Sequence, residues 1–133
     1  RCMTWMVRPV TPEEKTVREF VATFNRSELD EFVELLDPEV EIHGMRGLRK
    51  GCDEARAWAT KKPGGVQQTV LIENCRVAGD RVLLGVKREW RWEEDDELAY
   101  TDELAWLLEL RGARVLSWKP FEDPEAARTA FEA

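Results

Sequence analysis

Val17 to Gly44, VREFVATFNRSELDEFVELLDPEVEIHG, reads as two short amphipathic helices running into a strand. Val17, Phe20, Val21 and Phe24 recur at helical spacing. Upstream, Thr11-Pro12-Glu13-Glu14 is a capping box with proline at the first helical position, where its missing N–H costs nothing. Ser27 is placed to cap a second helix with a buried stripe of Leu29, Phe32, Val33 and Leu36. Asp37-Pro38 stops that helix, because the proline ring excludes a helical predecessor, and Glu39 to His43 follows as a strand.

Working outward, Gly51 to Lys62 predicts a third helix. Cys52, Ala55, Trp58 and Ala59 share one side, acids come early, Lys61-Lys62 come late, and Pro63-Gly64-Gly65 breaks it. From Val66 the hydrophobic period changes to two, with turn signals at Ala78-Gly79-Asp80, Glu93 to Glu97, and Arg111-Gly112-Ala113. Four antiparallel strands are expected, near 66–77, 81–92, 98–110 and 114–121. Most exceed the usual ~5–6 residues, and long strands in a small domain must twist and curl around something. Asp123-Pro124 then caps a terminal helix carrying Ala127 and Phe131. The fold class is α+β, a curved antiparallel sheet around three N-terminal helices. Residues 1–10 read as a tail before a single domain over 11–133.

Composition narrows the function. The chain has 133 residues, enough for one core without covalent staples. Twenty Lys and Arg against 27 Asp and Glu give a net charge of −7, which repels nucleic-acid backbones and anionic lipid. No nucleic-acid or membrane partner is expected, and the opening RCMTWMVRPV has no apolar run long enough for a signal core or a span. Cys2, Cys52 and Cys75 are odd in number and lack C-x-x-C spacing, so a reducing cytoplasm fits best. A zinc site would need Cys52 or Cys75 to converge on His43, the one histidine, with carboxylates completing the set. Phosphate-binding glycine loops and a G-x-S-x-G elbow are absent, and no cofactor is implied.

Alternation along 81–92 puts Val82, Leu84, Val86, Arg88, Trp90 and Trp92 on an inner face. On 98–110 the matching set is Leu98, Tyr100, Asp102, Leu104, Trp106 and Leu108. A turn symmetric about Asp95 pairs Trp92 with Leu98, Trp90 with Tyr100, Arg88 with Asp102, and Leu84 with Trp106. The same register sets Lys87 against Glu103 outside, so both faces support it. Arg88 and Asp102 are therefore the sharpest candidates, since a charge on an inner face needs a partner and ligand sites keep such groups among aromatic walls. The plain alternative is a structural bridge, or an Arg88 stem lying on Trp90 with its head in water.

The segments VATFNRSELDEFVELLDPEVEIHG, GLRKGCDEARAW and LRGARVLSWKPFEDPEAA resemble the SnoaL-like branch of the nuclear transport factor 2-like superfamily, over about Thr11 to Phe131. The resemblance implies a cone of curved sheet wrapped on three helices, an internal pocket at its open end, and homodimers through the outer sheet face. It implies relatives that are isomerases, cyclases, epoxide hydrolases and dehydratases alongside non-catalytic domains, so no reaction follows from fold alone. Steroid isomerases place an oxyanion-binding tyrosine where this chain has Phe20, and a general-base aspartate near Gly44. Cyclases carry an acid–base aspartate at about Pro120 and a histidine near Trp118. Epoxide hydrolases use an arginine and two carboxylates, which Arg88 and Asp102 match in part.

Two readings of function follow. In one, a small apolar or aromatic molecule occupies a cavity shaped by Phe20, Trp58, Trp90, Tyr100, Trp106 and Trp118. Asp102 or His43 then moves a proton and Arg88 steadies negative charge on an oxygen, as in an isomerase, lyase or hydrolase. In the other, the domain is non-catalytic, a ligand-binding or dimerising module in which Arg88 and Asp102 neutralise each other. The six tryptophans either fill the cone or line it. The acidic run Glu93 to Glu97 reads as a solvated hairpin tip, and Leu83, Ala105 and Leu107 as an outer-face dimer contact.

Overall fold

The computed structural model describes residues 10–44, 47–60 and 66–133. The readings of residues 1–9 as a tail, of Lys61-Lys62 as a helix end and of Pro63-Gly64-Gly65 as its break lie outside these. Helix α1 (Pro12–Arg26) starts as its sequence dictates, with Thr11 Oγ1 accepting from the Glu14 backbone N–H at 3.0 Å and Pro12 in the first turn. Val17, Phe20 and Val21 turn inward, and Phe20 packs on Phe32 of α2 (Leu29–Glu34) with ring centroids 4.9 Å apart. Ser27 does not cap α2. It adopts a left-handed conformation, φ 55°, and ends α1, with its N–H donating to the Phe24 carbonyl.

Six strands form one curved sheet: β1 (Leu36–Gly44), β2 (Gly47–Lys50), β3 (Val66–Ala78), β4 (Arg81–Trp92), β5 (Leu98–Arg111) and β6 (Arg114–Phe121). Their order is β2-β1-β6-β5-β4-β3. The four long strands fall where the period-two pattern puts them. Two features differ from expectation. Strand β2 is additional, paired back on β1, and β1 runs parallel to β6, so one pairing of the sheet is not antiparallel. Helix α3 (Cys52–Thr60) lies between β2 and β3, and α4 (Pro124–Glu132) closes the described chain.

Helices α1, α2 and α3 fill the concave side. The core there joins Val17, Phe20 and Phe32 to Val40 and Ile42 of β1, Val70 of β3, Val82, Leu84 and Val86 of β4, and Trp106 and Leu108 of β5. Both ends of α1 are tied down. Thr16 Oγ1 donates to the Ala113 carbonyl at 2.8 Å in the β5–β6 turn. At the other end Asn25 donates to the Val70 carbonyl at 2.8 Å and accepts from the Val70 N–H at 2.9 Å. Strand β3 is a sheet edge, so this amide occupies two backbone groups that a neighbouring strand would otherwise take.

On the convex side α4 buries Ala127 and Phe131 against Leu83 and Leu107, with Ala105 packed alongside. These are the residues expected to present a dimer contact. They are covered within the same chain, because the stripe of α4 is itself apolar and seeks the nearest apolar strip of sheet. No helix among the described residues is long and apolar enough to cross a membrane.

Candidate functional site

The β4–β5 register brings the two sharpest candidates together. Arg88 stands opposite Asp102, Trp90 opposite Tyr100 and Leu84 opposite Trp106, with Lys87 opposite Glu103 on the other face. Arg88 Nε donates to Asp102 Oδ1 at 2.9 Å and Arg88 Nη2 to Asp102 Oδ2, a two-pronged bridge. The side chains retain 23% and 21% of their exposure, so the pair is neither sealed in nor on the surface. The guanidinium carbon sits 5.3 Å over the Trp90 ring.

The Arg88 hydrogen bond holds the Asp102 carboxyl below its ordinary 3.8, against the opposing effect of burial. The Trp90 indole N–H pulls weakly the same way without reaching hydrogen-bonding geometry. Near the closed end of the sheet a second carboxylate behaves alike. Arg111 Nη2 and Nε donate to Asp37 at 2.9 and 3.1 Å, and the Glu39 N–H donates to Asp37 Oδ1 at 2.8 Å. Together these lower the Asp37 carboxyl. Both groups have folded values below their unfolded ones. Their contribution to stability is therefore complete above about pH 4 and lost as pH falls through the folded values. Urea midpoints measured from pH 7 downward are expected to hold level and then drop below pH 4, and Asp102→Asn is expected to flatten that drop.

Trp58, Trp106 and Trp118 form one indole cluster. Trp118 lies 4.6 Å from Trp58 and 5.1 Å from Trp106, the latter edge to face, and Trp58 continues to Phe24 at 5.4 Å. Trp106 and Trp118 are only 2% and 5% exposed. The Nε1 atoms of Trp90, Trp106 and Trp118 are buried with no acceptor. Phe20 is wholly buried in the helix–sheet core. Among the described residues these rings pack on one another inside the cone, with Phe20 in the core beside them. The concavities found lie outside it. One, of about 520 Å³, lies on α3 at Asp53, Arg56, Ala57 and Thr60. The other, of about 510 Å³, lies between β1 and β6.

His43 is not brought to the pair. Val40 and Ile42 point into the core, so alternation places His43 on the opposite face with Glu41, whose Oε1 is 3.6 Å from His43 Nε2. Gly44 does face inward, and a side-chain carbon there would meet the Trp58 indole at 3.7 Å. Tyr100 is 60% exposed and Trp92 48% exposed, so the concave face continues beyond Arg88 and Asp102 as a wet aromatic strip. Leu98 is not part of it. A bulge at Ala99 sets Leu98 opposite Arg91 instead of Trp92. Among the described residues no three His, Cys, Asp or Glu side chains converge as metal ligands.

With this geometry in view, comparison with known proteins places the chain. The SnoaL-like domain matches residues 17–118. The chain belongs to the SnoaL-like family. A comparison with curated proteins finds no match. Among solved structures, an LEH-like epoxide hydrolase from M. tuberculosis superposes with a TM-score of 0.73 at 14% identity, over 92% of this chain and 91% of that one. TerC, co-crystallised with polyporic acid, gives 0.72 at 17% identity over 92% and 100%. A nuclear transport factor 2-like protein of unknown function from Burkholderia pseudomallei K96243 gives 0.72 at 19% over 92% and 99%. At these identities the likeness is one of fold. This SnoaL-like chain shares the cone, the helices inside it and the unclosed sheet, while its interior carries the indole cluster described above.

Sequence reasoning missed two features of the site region. Trp92 falls on the inner face by alternation, yet it is 48% exposed and belongs to the open aromatic strip. Asp37 was read as a helix stop, and nothing local announces its bridge to Arg111, which lies 74 residues away.

Proposed function

We propose that this SnoaL-like chain is a small-molecule-binding domain whose ligand, a small apolar or aromatic compound, rests on the concave face at the open end of the sheet. It lies against Trp90 and Tyr100 and over the Arg88–Asp102 pair. The pair carries this reading. Two opposite charges stand on the core side of the sheet, where packing alone calls for apolar residues, and they keep about a fifth of their exposure. Buried ion pairs are a poor means of stabilising a fold, so a position that retains one invites a role in recognition. Trp58, Trp106 and Trp118 form the floor of such a site and Phe20 the core beneath it.

A catalytic version uses the same residues. Asp102 would take a proton while Arg88 steadies the negative charge that develops on oxygen, as an isomerase, lyase or hydrolase requires. The likeness to the M. tuberculosis epoxide hydrolase supports its hydrolytic branch. A carboxylate held below its ordinary range is a weak base, however, and His43 faces the other way, so the electrostatics favour binding without turnover. A homodimer belongs to the same proposal, with the sheet strip beside α4, including Leu71, as its contact. A reducing, cytoplasmic location belongs to the same proposal, since three cysteines without C-x-x-C spacing suggest no disulfide framework.

The test is a thermal-shift screen of sterol-like, aromatic and epoxide compounds. At least one class is expected to raise the Tm of the wild-type chain, and Asp102→Asn to abolish that rise while the variant remains folded. A rise of the same size in Asp102→Asn would remove the pair from the site.

A further inference from the structure

The aromatic strip beyond the Arg88–Asp102 pair has a distinctive electrostatic frame. Trp90, Trp92 and Tyr100 continue the concave face, with Trp92 opposite Val66 and Trp90 opposite both Gln68 and Tyr100. Trp92 and Tyr100 are exposed, whereas Arg88 lies over the Trp90 ring. Immediately beyond them the β4–β5 turn carries Glu93, Glu94, Asp95, Asp96 and Glu97, all exposed. The backbone holds that turn in place, with the Trp92 N–H donating to the Glu97 carbonyl at 2.9 Å and the Asp96 N–H to the Trp92 carbonyl at 2.8 Å. Arg91 reaches the turn through the Asp96 carbonyl at 3.1 Å, and Arg88 is neutralised by Asp102. Among the described residues the turn sets five acids against one arginine, so its own charge is negative.

A ring face carries the negative side of the aromatic quadrupole and attracts a cation, most strongly at tryptophan. The site already shows this preference in the Arg88 guanidinium lying over Trp90. An anion would be repelled by the turn, and a neutral hydrocarbon would gain only from area. Resting on the small-molecule reading above, we infer that the ligand is an amphipathic organic cation. Its flat apolar body lies along the strip, and its quaternary or protonated nitrogen is held against the faces of Trp92 and Tyr100 with the acidic turn behind it. Charge complementarity then selects the ligand and the rings supply contact area.

The test compares benzyltrimethylammonium with its neutral isostere neopentylbenzene on the full chain, followed by tryptophan fluorescence at low salt. The cation is expected to bind at least tenfold more tightly, with an affinity that falls as salt rises. In a second arm Glu93→Gln, Glu94→Gln and Glu97→Gln are combined. Asp95 is kept because its Oδ1 accepts from the Glu97 N–H at 3.0 Å, and Asp96 because its φ is 60°. This variant is expected to fold as wild type and to weaken the cation roughly five- to tenfold, leaving the isostere unchanged. Trp92→Ala is expected to weaken the cation by a similar factor. Equal affinity for the two probes overturns the cation inference and leaves the small-molecule reading standing. Binding by neither probe also overturns the cation inference, and the small-molecule reading then stands or falls on the compound screen above.

Discussion

Trp106→Ala is expected to destabilise the domain by roughly 3–5 kcal/mol, read from guanidinium or urea unfolding at neutral pH. The indole is 2% exposed and stands edge to face on Trp118, which in turn packs on Trp58 and through it on Phe24. Truncation removes the ring's own transfer free energy and also leaves a void, because its neighbours are held by strands on one side and helices on the other. Trp106→Phe keeps a ring and removes an N–H that has no acceptor, so it is expected to cost much less. A Trp106→Ala loss under about 1 kcal/mol would mean that the indoles line open space rather than fill the cone.

Breaking the Arg88–Asp102 bridge is expected to have the next largest effect. Asp102→Asn or Arg88→Ala alone should each cost about 1–2 kcal/mol, less than the ~3–5 kcal/mol of a fully buried pair because the side chains keep 21–23% of their exposure. Replacing both, as Arg88→Met with Asp102→Leu, should return stability to within about 1 kcal/mol of wild type, since neither charge is then left without its partner. Together with the ligand screen this separates the two roles. A bridge that serves recognition loses ligand response in the double variant while the fold recovers, whereas a purely structural bridge changes only stability.

The parts of this fold legible in the sequence were those governed by local periodicity. The period-two run over β4 and β5, with Arg88 and Asp102 as single charges in otherwise apolar sets, fixed the hairpin register well enough to pair Trp90 with Tyr100 and Leu84 with Trp106. The symmetric turn failed by one residue, because a bulge shifts Leu98 to Arg91 and no residue type at Ala99 announces it. Ser27 looked like an N-cap because serine favours that position. Its left-handed backbone at the end of α1 is a role more often given to glycine. His43 is a proton-carrier candidate by residue type, yet with Val40 and Ile42 in the core the odd positions of β1 face outward. Whether the tryptophans fill or line the cone depends on packing between elements distant in sequence, which periodicity does not encode.

The central claim, that ligand binds above a filled indole core, is tested most directly by indole N–H resonances in a ¹⁵N–¹H correlation spectrum. Six tryptophans give six such signals, assigned by Trp→Phe variants and followed while a compound that raises the Tm is titrated in. The expected result is movement of the Trp90 and Trp92 signals with those of Trp106 and Trp118 unchanged. Large shifts at Trp106 and Trp118, with Trp90 and Trp92 still, would contradict it and return the ligand to the interior of the cone.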